Sequence, residues 1–125
     1  SSRRPRHGLH IHETAGDENT YACMQPGSHY DTGKTGGSHG AVNATVHHTG
    51  DLGNTEAEYD DYTGEYKTFF SVDVADKNLD VPSIIGLSLV LHSGEDDLGS
   101  GSCKTSKANG CAGSRVVCGN IIAMN

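Results

Sequence analysis

An all-β chain with long functional loops is predicted by three features of the sequence. Apolar and polar residues alternate in short runs, which is the period of a strand. No stretch keeps a helical period over a useful length. Glycine supplies 17 of 125 residues and proline only three, so glycine-rich, turn-forming connections separate the runs. The length suits one domain spanning 1–125. Hydrophobic residues make up 34%, with no Trp and two Phe, so the core must be small and built from Val, Ile, Leu and Ala. A chain of this kind needs metal ions or disulfides to be stable.

Residues 1–7 (SSRRPRH) read as a basic tail, mobile at its start, and Arg3-Arg4-Pro5-Arg6 resembles a processing site. Residues 8–12 (GLHIH) form the first strand, with Leu9 and Ile11 on one face and His10 and His12 on the other. A pair of His at i and i+2 on one strand face can grip one metal, although exposed His is the plainer reading. Residues 13–28 are loop, with turn residues Gly16, Asp17, Asn19 and Pro26-Gly27 around Cys23. The stretch from His29 to Asp51 holds His29, His39, His47, His48 and Asp51 among glycines and threonines, and reads as loop to about residues 42–46. Three of those histidines with Asp51 would satisfy a zinc ion.

Gly53 to Lys67 is acidic and reads as a solvated, turn-rich hairpin tip. Residues 68–74 (TFFSVDV) form a strand with Phe70, Val72 and Val74 on one face, followed by a turn at 76–78. Residues 84–92 (IIGLSLVLH) are the most apolar run, a buried strand with Gly86 as a bulge or close-approach point. A long loop follows to Gly113, and 114–124 (SRVVCGNIIAM) is the last strand. There are no repeats and no internal linker.

Nine basic against sixteen acidic residues leave a formal charge of −7, which argues against a nucleic-acid surface. No apolar run approaches the ~18 residues of a membrane-spanning helix. No signal peptide is visible, which decides little for a secreted chain that would have lost it. The four cysteines, Cys23, Cys103, Cys111 and Cys118, allow three pairings if all are oxidised. Buried free thiols are the alternative. Disulfides would imply an oxidising compartment, and extracellular over cytoplasmic residence.

GLHIHE (8–13), GSHY (27–30), HHTGDLGN (47–54), LVLHSGEDDLG (89–99) and AGSRVVCG (112–119) carry a resemblance that covers the chain from residue 8 almost to its end. In this order they are similar to the copper/zinc superoxide dismutase family. The resemblance implies a Greek-key β-barrel or sandwich. It implies copper held by His10, His12, His29 and His92, and zinc by His29, His39, His48 and Asp51, with His29 shared. The chemistry of the donors agrees: four imidazoles suit copper, and three with a carboxylate suit zinc. His7 and His47 are left over, as solvent-facing or supporting histidines. Asp96 matches the aspartate that bridges a copper His and a zinc His, here His10 and His39. Arg115 matches the arginine that holds superoxide, although alone it could be a surface residue. Cys23–Cys118 matches the family disulfide. Cys103 and Cys111 are additions to the common pattern, and a bridge between them would stiffen their loop.

The activity implied is dismutation of superoxide to oxygen and hydrogen peroxide as copper cycles between valences, with His29 releasing copper and taking a proton. Electrostatic steering is already established for this class of enzyme. Arg115, with Lys104 and Lys107, would supply the local positive field. The family begins with about three strands that have no counterpart before residue 8. They could come from another chain or a retained fragment, or be absent in a shortened member. The usual dimer contacts would use the first strand, Ile85 and the last strand, and the polar Asn120 there argues against that homodimer without excluding it. Two other classes compete: a superoxide-dismutase-like metal carrier or structural extracellular protein, and a zinc-only binder. Arg115 and Asp96 favour the enzyme over the carrier, and His10, His12 and His92 disfavour the zinc-only reading.

Overall fold

A computed structural model of the chain describes residues 5–13, 27–33, 37–68 and 78–123. Its strands are β1 (Arg6–His12), β2 (Asp51–Asp60), β3 (Glu65–Thr68), β4 (Ser88–His92) and β5 (Arg115–Asn120). All pair antiparallel, in the order β3-β2-β1-β4-β5. Among the described residues, three consecutive strands lie side by side, and the fourth returns to pair with the first. That is the order of a Greek key, so the all-β expectation holds.

β1 is the central strand, and this follows from its residues. Both of its faces are buried from Gly8 onward only if something covers each one. Leu9 and Ile11 are buried on one side of the strand, while His10 and His12 alternate to the other, where Val90 lies opposite His10. Its register against β2 shifts between Gly8 and His10. Gly8 is required there, because a Cβ would meet Ala112 Cβ at 2.9 Å.

Several boundaries differ from expectation. Arg6 and His7 belong to β1 rather than to a mobile tail, and Arg6 pairs with Glu95 at 2.8 Å. The acidic stretch after Asp51 is mostly strand: Gly53, Thr55 and Ala57 turn inward while Glu56 and Glu58 face solvent. Only 61–64 form the tip, where Asp60 accepts the Tyr62 amide and pairs with Lys67 at 2.9 Å. The run 84–92 is strand only from Ser88. Pro82 opens a single helical turn, α1 (Val81–Ile84), and Gly86 takes φ +91°, with open space where a Cβ would be. Gly86 is therefore a turn residue rather than a bulge or a close approach. A second single turn, α2 (Ser106–Asn109), lies in the long loop before β5, ending on Gly110 at φ +72°. β5 ends at Asn120, short of the expected 124. The strand predicted over 68–74 falls almost entirely outside the described residues, as does Cys23.

Candidate metal centre

Residues far apart in the chain meet because β1 and β4 pair. The register sets His12 opposite Ser88 and His10 opposite Val90, with His92 closing β4. An isolated bridge between His12 and His29 brings the loop after β1 onto the same face. Gly50 lets that loop return, since a Cβ there would meet the Ile11 carbonyl oxygen. Asp51 is the first residue of β2 and is fully buried.

In His10, His12, His39 and His92 one ring nitrogen is tied down and the other is left for a ligand. His10 donates from Nε2 to Asp96 Oδ2 at 2.6 Å. His12 and His92 donate from Nδ1 to the carbonyls of Gly27 and Gly113, each at 3.1 Å. His39 donates from Nε2 to Asp96 Oδ1 at 2.7 Å. His29 turns Nδ1 to Asp51 Oδ1 at 2.8 Å. Such second bonds fix the tautomer and orientation of a metal-binding imidazole.

Four of the remaining nitrogens are buried without a hydrogen-bond partner: His10 Nδ1, His29 Nε2, His39 Nδ1 and His48 Nδ1. Each unsatisfied buried polar atom costs about 1–3 kcal/mol. Several converging in one place call for a ligand that accepts lone pairs. His12 Nε2 and His92 Nε2 face each other at 3.3 Å. Asp51 Oδ1 lies 2.8, 3.0 and 3.3 Å from Nδ1 of His29, His39 and His48. Its other oxygen is held by the amides of Gly40 and His48, at 3.1 and 2.8 Å. Two donor groups result, with ligand atoms within 4.8 Å of one another: His10, His12, His29 and His92, and His29, His39, His48 and Asp51. His29 belongs to both through its two nitrogens. The donors fit copper in the first group and zinc in the second.

Electrostatics follow the same division. Burial, with the neighbouring rings adding to it, pushes His10 down to about 4 and His12 down to about 3. Burial lowers His29 and His92 as well. These rings stay neutral near pH 7, as metal ligands must. Burial opposes charge on His39 too, but the adjacent carboxylates of Asp51 and Asp96 outweigh it and raise the ring to about 9. The Asp51 carboxylate beside it raises His48. Burial would raise Asp51, yet its three histidine partners hold it well below the usual carboxylate range. Asp96 is lowered in the same way by His10 and His39.

Three of the four copper-type rings, those of His12, His29 and His92, open onto a cavity of about 520 Å³. Its wall includes His12, His29, His92, Ala108, Asn109 and Arg115. Arg115 Nη2 donates to the Gly27 carbonyl, the same oxygen that receives His12, so the guanidinium and a ligand share one anchor. Lys104 and Lys107 are exposed on the neighbouring loop and do not line this cavity. Cys103 and Cys111 are bridged. The expected partner of Cys118, Cys23, lies outside the described residues.

Several further residues support these side chains. His7 is half-buried and donates to the His92 carbonyl at 2.9 Å, and His47 is buried and donates to the His48 carbonyl at 2.7 Å. Both support the ligand beside them, and neither faces solvent freely. Asn54 grips Asp96 at both backbone atoms, accepting its amide at 2.7 Å and donating to its carbonyl at 2.9 Å. Asp97 holds Ser102 and Ser106, fastening the loop that contains α2.

A Greek-key sheet that carries two metal-type donor groups joined by one imidazole defines a binuclear metalloprotein of the copper–zinc kind. The chain belongs to the copper/zinc superoxide dismutase family: the family model of that description matches residues 2–121. It is 44% identical over 117 residues to a superoxide dismutase [Cu-Zn] of Schizosaccharomyces pombe, covering 93% of this chain and 70% of that protein. Identity to superoxide dismutase [Cu-Zn] 5 of Dictyostelium discoideum is 40% over 120 residues, covering 96% and 73%. The copper chaperone for superoxide dismutase of Mus musculus is 43% identical over 115 residues, covering 92% of this chain but only 38% of the chaperone. Among solved structures, the clock protein EA4 superposes with a TM-score of 0.72 at 33% identity, covering 94% of this chain and 71% of that one. Copper and zinc are the cofactors that this family and these donor groups imply.

Proposed function

We propose that this chain, as one domain, catalyses the dismutation of superoxide. Two superoxide ions and two protons give one oxygen and one hydrogen peroxide. His10, His12, His29 and His92 would hold copper, and His29, His39, His48 and Asp51 would hold zinc. Copper supplies the one-electron couple when bound, and zinc a fixed positive charge. The remaining steps belong to side chains. Arg115, anchored on the Gly27 carbonyl at the cavity wall, binds the anion with a planar cationic fork. His29 carries a proton at Nε2, the buried nitrogen on the copper side, while its Nδ1 stays with the zinc-type group beside Asp51. Asp96 ties His10 to His39, so the two ligand groups keep one geometry.

The observation that carries this reading is the pairing of the copper-type donors with Arg115 on one cavity. A carrier needs the donors but has no use for an anion-binding arginine. The chaperone relative favours a second reading, delivery of copper without turnover. An assay of the chain loaded with copper and zinc separates the two. Dismutation that falls about tenfold or more in Arg115→Ala is expected. No turnover at full copper occupancy would contradict the enzyme reading, and unchanged turnover in the variant would contradict the role of Arg115.

A further inference from the structure

Between the zinc-type ligands His39 and His48 the chain makes a short excursion. Its two ends are pinched together: the backbones of Gly40 and Val46 meet so closely that a Cβ on Gly40 would collide with the Val46 carbonyl oxygen. A turn closes within it, the Ala44 amide donating to the Ala41 carbonyl at 2.9 Å. Asn43, Thr45 and Val46 are exposed at its tip. None of residues 41–46 lines the cavity beside Arg115. Asn43-Ala44-Thr45 is also the one Asn-x-Ser/Thr triplet in the chain, and its middle residue is not proline. Chemically it is an acceptor for an N-linked glycan, which requires a surface loop.

We propose that Asn43 carries an N-linked oligosaccharide, and that the loop between the zinc-type ligands is the glycosylated face of the molecule. The transfer joins the side-chain nitrogen of Asn43 to the anomeric carbon of a lipid-pyrophosphate-linked oligosaccharide. The amide loses one proton, the anomeric carbon–phosphate oxygen bond breaks, and the lipid pyrophosphate leaves; no electrons change hands. The Thr45 hydroxyl completes the acceptor. Sugar addition precedes folding in the secretory route, so the glycan must be tolerated by the finished fold. An exposed asparagine at the tip of a pinched loop meets that requirement. The bridged Cys103–Cys111 pair, exposed at Cys103, fits passage through the same oxidising compartment. On this surface the glycan covers the outside of the zinc-type loop and leaves the anion cavity open.

Peptide mapping of the protein purified from its native source tests this directly. Enzymatic release of N-glycans in heavy-oxygen water is expected to leave a labelled aspartate where Asn43 stood. In a eukaryotic secretory host, the glycosidase-sensitive mass of the full chain should vanish in Asn43→Gln and Thr45→Ala and persist in Thr45→Ser. Metal content should be equal in all of them. A native peptide with bare Asn43, or a glycosidase-sensitive mass that survives Thr45→Ala, would overturn the proposal. Neither result bears on dismutation, which is read by turnover.

Discussion

Gly110 shows how tightly single residues are specified around the two ligand groups. It follows α2 in the left-handed region at φ +72°, and a Cβ there would collide with Asp96 Oδ1 and approach His39 Nε2. Glycine alone meets both demands. Gly110→Ala should therefore destabilise the chain by about 1–3 kcal/mol and weaken zinc retention, read by thermal unfolding and by the rate of zinc loss to a chelator. An unchanged rate would mean that Asp96 and His39 can shift without cost. The metal-type donors were legible in the sequence because their motifs are ordered and chemically specific. Their supports were not. His7 and His47 look like spare histidines in a sequence, and only the fold shows that each donates to the carbonyl of a neighbouring ligand. Asn54 likewise needs the pairing of β1 with β2, and the loop after β4, before it can grip Asp96.

Elements tell the same story through period and length. β1 was readable because its alternation is complete, and β4 because it is apolar. The β2–β3 hairpin was legible as a hairpin, but its charge hid the length of its strands: acidic residues on the solvent face masked the small inward ones, Gly53, Thr55 and Ala57. α1 and α2 are single turns, too short to leave a helical period. The loop carrying α2 matters most for the site. The His39 amide donates to the Lys107 carbonyl at 2.8 Å, and the Asp97 amide to the Gly110 carbonyl at 2.8 Å. Both acceptors lie inside the ring closed by Cys103–Cys111, whose cysteines are eight residues apart. Replacing both cysteines with serine should cost about 2–3 kcal/mol by the loop-closure model. The same change should speed zinc release, because the carbonyl that holds the His39 backbone is freed with the loop. A lower melting temperature with unaltered zinc release would confine the bridge to stability alone.

At the scale of the whole molecule, the buried rings set how the metal-free chain responds to pH. His10 and His12 titrate lower in the fold, at about 4 and about 3, than the ordinary value of 6.5. Below 6.5 the unfolded chain binds more protons, so stability falls with acid. His39 is raised to about 9. Its contribution is full below 6.5 and is lost as pH rises through 9. The metal-free chain should therefore be most stable near pH 6.5, with melting temperatures falling on both sides; a monotonic profile across this range would contradict the assignment. Bound metals replace those protons, so acid should also release them. The arrangement as a whole rests on one imidazole serving two ions. The most direct test fills the copper-type site with Cu(II) and the zinc-type site with paramagnetic Co(II), and records the copper spin-resonance signal. Coupling through His29 predicts that the copper signal seen with Zn(II) disappears with Co(II). An undiminished signal, with both ions bound one per chain, would contradict the shared ligand.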